Sequence, residues 1–282
     1  MNSSRRSFLQ AAAAAPILGA AFLNSQLAFA GIPESETGGV KFRLGLASYS
    51  FRKFDRANAI RMCVRARLGC ICFKDFHLKM DATDEECRAA AEECKKAGLN
   101  LYACGTVYMK KPEDVVNAFR YAKAAGMNTI VCAPSPELLP LVEEKVKETG
   151  IYIAIHNHGP GDKVYPTPES VIEKVGKFDK RVGLCIDVGH TERIGASVLK
   201  SIFDYKDRIH DFHFKDITEK AQKGHGTLCG EGVLALPEYL AALKQIGYDR
   251  VVSFEWEEEA DDPLPGLMQN VGYTRGLLRM MK

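Results

Sequence analysis

His156, Asp187, His213 and Glu255 each close a short apolar run: Ile155-His156-Asn157-His158, Ile186-Asp187-Val188-Gly189-His190, Phe212-His213-Phe214-Lys215-Asp216 and Phe254-Glu255-Trp256-Glu257. Two imidazoles and two carboxylates form a nitrogen and oxygen donor set suited to a first-row divalent cation. If the runs are parallel, neighbouring strands, the four side chains meet at one end of a sheet and leave positions open for water or substrate. Taken singly each residue is weak: a lone histidine is more often a satisfied polar group, and Glu255 precedes an acidic run, Glu257 to Glu259, that alone reads as surface. Four such residues at the same end of four successive strands make a metal site the stronger reading.

The elements that must position them follow from the sequence pattern. Strand-like runs at 42–48, 70–74, 99–104, 129–132, 151–156, 182–187, 209–214 and 251–255 alternate with helical stretches at 58–68, 83–97, 112–125, 136–149, 168–177, 197–205, 237–246 and 263–281. Several helices begin near a proline and stop at a glycine, and Thr83 with Glu86 three residues later fits a capping box. Eight strands alternating with eight helices imply a parallel sheet, and this length favours closure into a single-domain (β/α)8 TIM barrel. No Gly-x-Gly-x-x-Gly pattern follows the first strand, so an open dinucleotide-binding sheet loses its main support. In a barrel the active site lies at the carboxyl ends of the strands, where His156, Asp187, His213 and Glu255 fall. Residues 218–232, with Gly224, Gly226, Gly230 and Gly232, read as a flexible surface loop in preference to a phosphate cradle or lid.

The amino terminus bears on location. Ser4-Arg5-Arg6-Ser7-Phe8-Leu9-Gln10 precedes an alanine-rich apolar run, and Ala28-Phe29-Ala30 supplies a cleavage pattern before Gly31, so residues 1–30 are similar to a twin-arginine signal peptide and 31–282 would be the exported, periplasmic barrel. The apolar run, broken by Pro16 and Gly19, falls short of the ~20 residues of a spanning helix, so no stable membrane anchor is expected after cleavage. The formal net charge of +2 includes both signal arginines. With no basic stripe, nucleic acid is not an expected partner. Nine cysteines are an odd set for an exported protein, and most fall inside strands or helices. They read as buried free thiols of a protein folded before export.

Asp187-Val188-Gly189-His190, His213-Phe214-Lys215-Asp216 and Gly230-Glu231-Gly232 before Phe254-Glu255 resemble the xylose-isomerase-like barrels of the sugar isomerase and epimerase type, which share their fold with the endonuclease IV group. In that family a Glu, Asp, His and Glu set holds the metal. The resemblance assigns Asp187, His213 and Glu255 to the last three positions, while His156 stands where the first glutamate is expected. With one carboxylate fewer the site is closer to neutral, a stronger Lewis acid, and better suited to Mn, Zn, Co or Fe than to Mg.

The resemblance implies a metal-dependent sugar isomerase or epimerase that abstracts a proton next to a carbonyl through a metal-stabilised enediolate. Glu255 is the candidate base, with His158 and Lys215 as further catalytic candidates and Asp216 as the expected partner of Lys215. His158 is also the alternative ligand should His156 turn away. Lys74, His77 and His190 are the substrate-binding candidates. His210 is expected to face away from His213, and His225 lies in the glycine-rich loop. The partner is a small sugar or keto-sugar, and oligomeric assembly is left open. Two alternatives stand beside this reading: β-elimination of a 3-keto-glycoside, which needs one base rather than two opposed carboxylates, and a non-catalytic sugar-binding barrel. A nuclease of the related tri-zinc group would need more ligands and a basic surface.

Overall fold

The computed structural model of the chain describes residues 38–281. The twin-arginine leader and the cleavage pattern lie outside those residues. Eight strands close into a parallel barrel: β1 (Arg43–Ala47), β2 (Cys70–Phe73), β3 (Asn100–Met109), β4 (Thr129–Pro134), β5 (Tyr152–His156), β6 (Val182–Asp187), β7 (Ile209–Phe214) and β10 (Val251–Phe254). Between β7 and β10 lies a two-stranded antiparallel hairpin of β8 (Asp216–Ile217) and β9 (Gly226–Thr227). The expected (β/α)8 TIM barrel is therefore the fold.

Local sequence explains the alternation. Strands β2, β6, β7 and β10 are buried at every position, which suits runs such as Cys-Ile-Cys-Phe and Val-Val-Ser-Phe that face the barrel interior on one side and helices on the other. Helix α2 (Asp84–Lys96) opens on the full capping box between Thr83 and Glu86. Proline lies in the first turn of α3 (Pro112–Ala124) and α5 (Pro168–Val175), and α4 (Leu139–Thr149) ends at Gly150, whose φ of 75° is left-handed. These helices bury their apolar faces against the outside of the barrel, whereas Cys70, Cys72, Tyr102, Ala103, Val131, Ala154, Cys185 and Val251 form a smaller cluster of their own.

Three features depart from the sequence expectation. Strand β3 runs to Met109 rather than stopping at Cys104, because Gly105 does not break it: the pairing with β4 shifts between Cys104 and Val107 and then resumes. A Cβ on Gly105 would lie 2.5 Å from Val131, so glycine permits the close approach of the two strands. A six-residue helix, α6 (Val188–Arg193), follows β6 directly. The glycine-rich segment is not a free loop. The Asp216 side chain accepts hydrogen bonds from the backbone N–H of Gly230, Gly232 and Leu234, besides that of Ile217. Among the described residues no helix is long and apolar enough to cross a membrane. All nine cysteines are buried and unpaired, as the sequence reading expected.

Candidate metal centre

His156 is the last residue of β5, Asp187 the last of β6, His213 the penultimate residue of β7, and Glu255 directly follows β10. Strands β5, β6, β7 and β10 are adjacent in that order around the barrel, and the register sets Asp187 beside His213. His156 Nε2 lies 3.2 Å from His213 Nδ1 and 3.5 Å from Asp187 Oδ2. His213 Nδ1 lies 3.1 Å from Glu255 Oε2 and 3.9 Å from Asp187 Oδ2. Four donors about 2.1 Å from a tetrahedral ion stand about 3.4 Å from one another. The observed separations bracket that value, so two nitrogens and two oxygens are spaced as a divalent cation requires. Each of the four side chains offers one donor to the cluster, and all but Glu255 are buried.

Neighbouring groups fix the orientation of each donor. Asp187 Oδ1 accepts the backbone N–H of His190 at 2.7 Å, capping α6 and leaving Oδ2 for the cluster. Asn157 accepts the backbone N–H of Asp187 and donates to Thr191, whose hydroxyl in turn donates to the Asp187 carbonyl. Behind His213, two residues back on β7 and on the same side, Asp211 lies with Oδ2 3.9 Å from His213 Nε2 and accepts a hydrogen bond from Tyr102.

A cation is built into the cluster. Lys215 Nζ lies 2.9 Å from Asp187 Oδ2, 2.7 Å from Glu255 Oε2 and 2.5 Å from Glu257 Oε1, and its side chain is only 8% exposed. Its expected partner, Asp216, instead binds the loop, because consecutive residues of an extended chain point to opposite sides. Burial opposes the charge on Lys215, but Asp187, Glu255 and Glu257 outweigh it and hold the ammonium protonated. Burial likewise opposes ionisation of Asp187 and Glu255, and Lys215 more than offsets this, keeping both carboxyls well below the usual range. For His213, burial is overcome by Glu255 and the two aspartates, which push the imidazole up to about 9. Asp187, Glu255, Glu257 and Lys215 together carry a formal charge of −2, which a divalent ion would cancel once His213 gives up its proton.

The remaining predicted residues separate into two groups. His158 packs edge-on against His156 with ring centroids 4.5 Å apart, and its Nε2 is 3.2 Å from the Tyr108 hydroxyl. His190 lies edge-on to His156 at 5.7 Å, with Nδ1 3.3 Å from Arg193 Nη2. Burial lowers both rings to about 4, so both are neutral imidazoles. His156, not His158, turns into the donor cluster. Lys74 donates to the Thr106 carbonyl and lies over the Tyr108 ring, so it belongs to the wall of the mouth. His77 is buried, bonded through Nδ1 to Ser48 and packed against Phe73 and Phe76, with none of these contacts in the donor cluster. His210 bonds the Lys180 carbonyl and stacks edge-on with Tyr152, facing away from His213 as expected. Exposed His225 bonds the Gly226 carbonyl through Nδ1. Sequence reasoning missed Tyr108, Asp211, Asn157 and Glu257. Of these, Asp211 was open to detection by its two-residue spacing from His213.

Residues 66–277 match the model of a protein family described as xylose isomerase-like TIM barrel. An inosose dehydratase of Lacticaseibacillus casei is 26% identical over 131 residues, covering 41% of this chain and 44% of that protein. The chain therefore matches less than half the length of that relative. Among solved structures, the IolI protein with a bound zinc atom has a TM-score of 0.72 at 16% identity, covering 85% of this chain and 99% of the other. An L-ribulose 3-epimerase has a TM-score of 0.68 at 14% identity, covering 85% and 95%. At these identities the structural likeness is one of fold.

Proposed function

We propose, from the premise that this chain belongs to the xylose isomerase-like TIM barrel family, that it is a divalent-metal-dependent enzyme removing a proton next to the carbonyl of a sugar or sugar-derived ketone. The observation that carries this reading is the convergence of His156, Asp187, His213 and Glu255 on one point at the barrel mouth. A divalent ion held by those four residues supplies a Lewis acid for a substrate carbonyl oxygen. Glu255, the more accessible carboxylate of the donor set, is the base. Lys215 hydrogen-bonds Glu255 and forms an ion pair with Asp187, limiting the negative charge of both carboxylates. His158 and Tyr108, hydrogen-bonded to one another beside His156, are placed to bind substrate hydroxyls.

The residues favour an outcome that needs one base. Glu255 and Glu257 leave the end of β10, whereas the end of β5, three strands round the barrel, is closed by the imidazole of His156 and followed by that of His158. Epimerisation by two opposed carboxylates therefore lacks its second member. Elimination of a β-substituent from the enediolate requires only Glu255, and the likeness to an inosose dehydratase supports it. Isomerisation, with the proton returned by the same carboxylate to the neighbouring carbon, is the second reading, supported by that single-base geometry. The sequence of the first 30 residues supports action outside the cytoplasm, on unphosphorylated substrates.

Product analysis by NMR in heavy water, using zinc- or manganese-loaded protein with free sugars, keto-sugars and 3-keto-glycosides, tests both outcomes. Elimination gives an enone and a released leaving group, whereas isomerisation gives a deuterium-labelled isomer. Glu255→Gln should abolish either. Failure of the protein to retain metal after loading would leave only a sugar-binding barrel.

A further inference from the structure

One layer below the mouth, Cys185 lies two residues before Asp187 on β6 and so points to the same side of the strand. The register sets it beside His156 on β5 and beside Asp211 on β7. Its Sγ, one nitrogen of His156 and one nitrogen of His213 all lie within 4.8 Å of one another. The three residues are 0%, 3% and 2% exposed. Each imidazole has a second nitrogen not used at the mouth, and those two atoms, His156 Nδ1 and His213 Nε2, have no hydrogen-bond partner among the described residues. Buried polar atoms are almost always satisfied, so the unsatisfied His156 Nδ1, on a ring grouped with a buried thiol, asks for an explanation, while His213 Nε2 also has Asp211 Oδ2 3.9 Å away.

We propose that the centre has a second, deeper position for a thiophilic divalent ion, held by Cys185 with His156 and His213. This rests on the reading of the two histidines as metal ligands and adds sulfur to their donor set. A thiolate selects zinc, cobalt or cadmium and is a poor ligand for magnesium. Without an ion, buried Cys185 is a free thiol. When an ion enters the deeper position, the S–H bond breaks, its proton leaves to the buffer, and the sulfur lone pair forms the bond to the metal. Neither oxidant nor reductant takes part. Mouth and deeper positions share the same two imidazole rings, and a thiophilic ion fills the deeper one.

Cobalt(II) titration of the metal-free, reduced protein tests this. Cobalt in either position gives visible d–d bands, but a near-ultraviolet thiolate-to-cobalt charge-transfer band arises only when sulfur is bound. Wild-type protein should show both. Cys185→Ser should lose the charge-transfer band and keep the d–d bands, while Cys72→Ser, at another buried thiol of the same inner cluster, should keep both. Cobalt bound without a charge-transfer band in the wild type, or a band that survives Cys185→Ser, overturns the deeper position and leaves the mouth site standing. No cobalt bound at all overturns both. Cobalt bound without the charge-transfer band in the wild type is decisive by itself, whether or not a variant folds.

Discussion

Lys215→Met tests the electrostatic design of the centre most directly, since it removes an ammonium while keeping an unbranched apolar chain in its place. The ammonium is within 2.9 Å of Asp187, 2.7 Å of Glu255 and 2.5 Å of Glu257, and Asp187 and Glu255 are 0% and 12% exposed. Removing one partner of a buried ionic network costs about 3–5 kcal/mol, because the charge left behind is no longer balanced. In a domain of this size each kcal/mol moves Tm by about 2–4 °C, so the metal-free variant should melt about 6–20 °C below wild type. A bound divalent ion would meet the same two carboxylates and take over part of the ammonium's task. The deficit should then shrink by at least half, and metal should raise Tm more in the variant than in wild type. Circular dichroism melts of chelator-treated and zinc-saturated proteins measure both differences. A metal-free variant melting within about 2 °C of wild type, less than the shift expected for 1 kcal/mol, would refute the balancing role of Lys215. An equal deficit with and without metal would show that the ion does not bind these carboxylates.

Asp216→Ala should loosen the segment after β9, since three loop N–H groups lose their acceptor; the loss is about 2–3 kcal/mol or more, and amide exchange at Gly230, Gly232 and Leu234 should accelerate, with unchanged exchange counting against the assignment. His77 is lowered to about 4 by burial, against an unfolded value of about 6.5, so the unfolded chain takes up the proton first. Its stabilisation is present above pH ~6.5 and is lost as pH falls towards 4, at no more than about 1.4 kcal/mol per pH unit. Urea unfolding of His77→Gln across that window should show a correspondingly shallower acid slope, and an identical slope would be the contrary result. Ellman's reagent should find almost no reactive thiol in native protein and all nine after denaturation. Rapid modification of several in the native state would contradict their burial.

The barrel was legible because its strands are uninterrupted apolar runs and its helices carry strong start and stop signals, as at Thr83 and Gly150. The donor set was legible for a related reason: polar residues that end such runs must emerge at the same rim. What stayed hidden depended on neighbours in space. The apolar run stops at Cys104 in the sequence, so Tyr108, carried into the mouth by the continuation of β3, gives no strand signal of its own. Lys215 was matched to Asp216 by adjacency in sequence, whereas strand geometry sends one to the carboxylates and the other to the loop. Asp187 read only as a ligand, but one oxygen also caps a helix too short to announce itself by periodicity. Glu257 looked like part of an acidic surface run until its ion pair with Lys215 was in view.

The ammonium of Lys215 has a consequence for the order of events in the life of the molecule. A pocket of bare carboxylates would resist closing until its metal arrived, tying maturation to whatever ion the site of synthesis supplies. Here a tethered positive charge stands guard over the acids from the outset. The carboxylates are therefore already balanced in the folded chain, and any divalent ion that enters meets a pocket whose negative charge is partly neutralised.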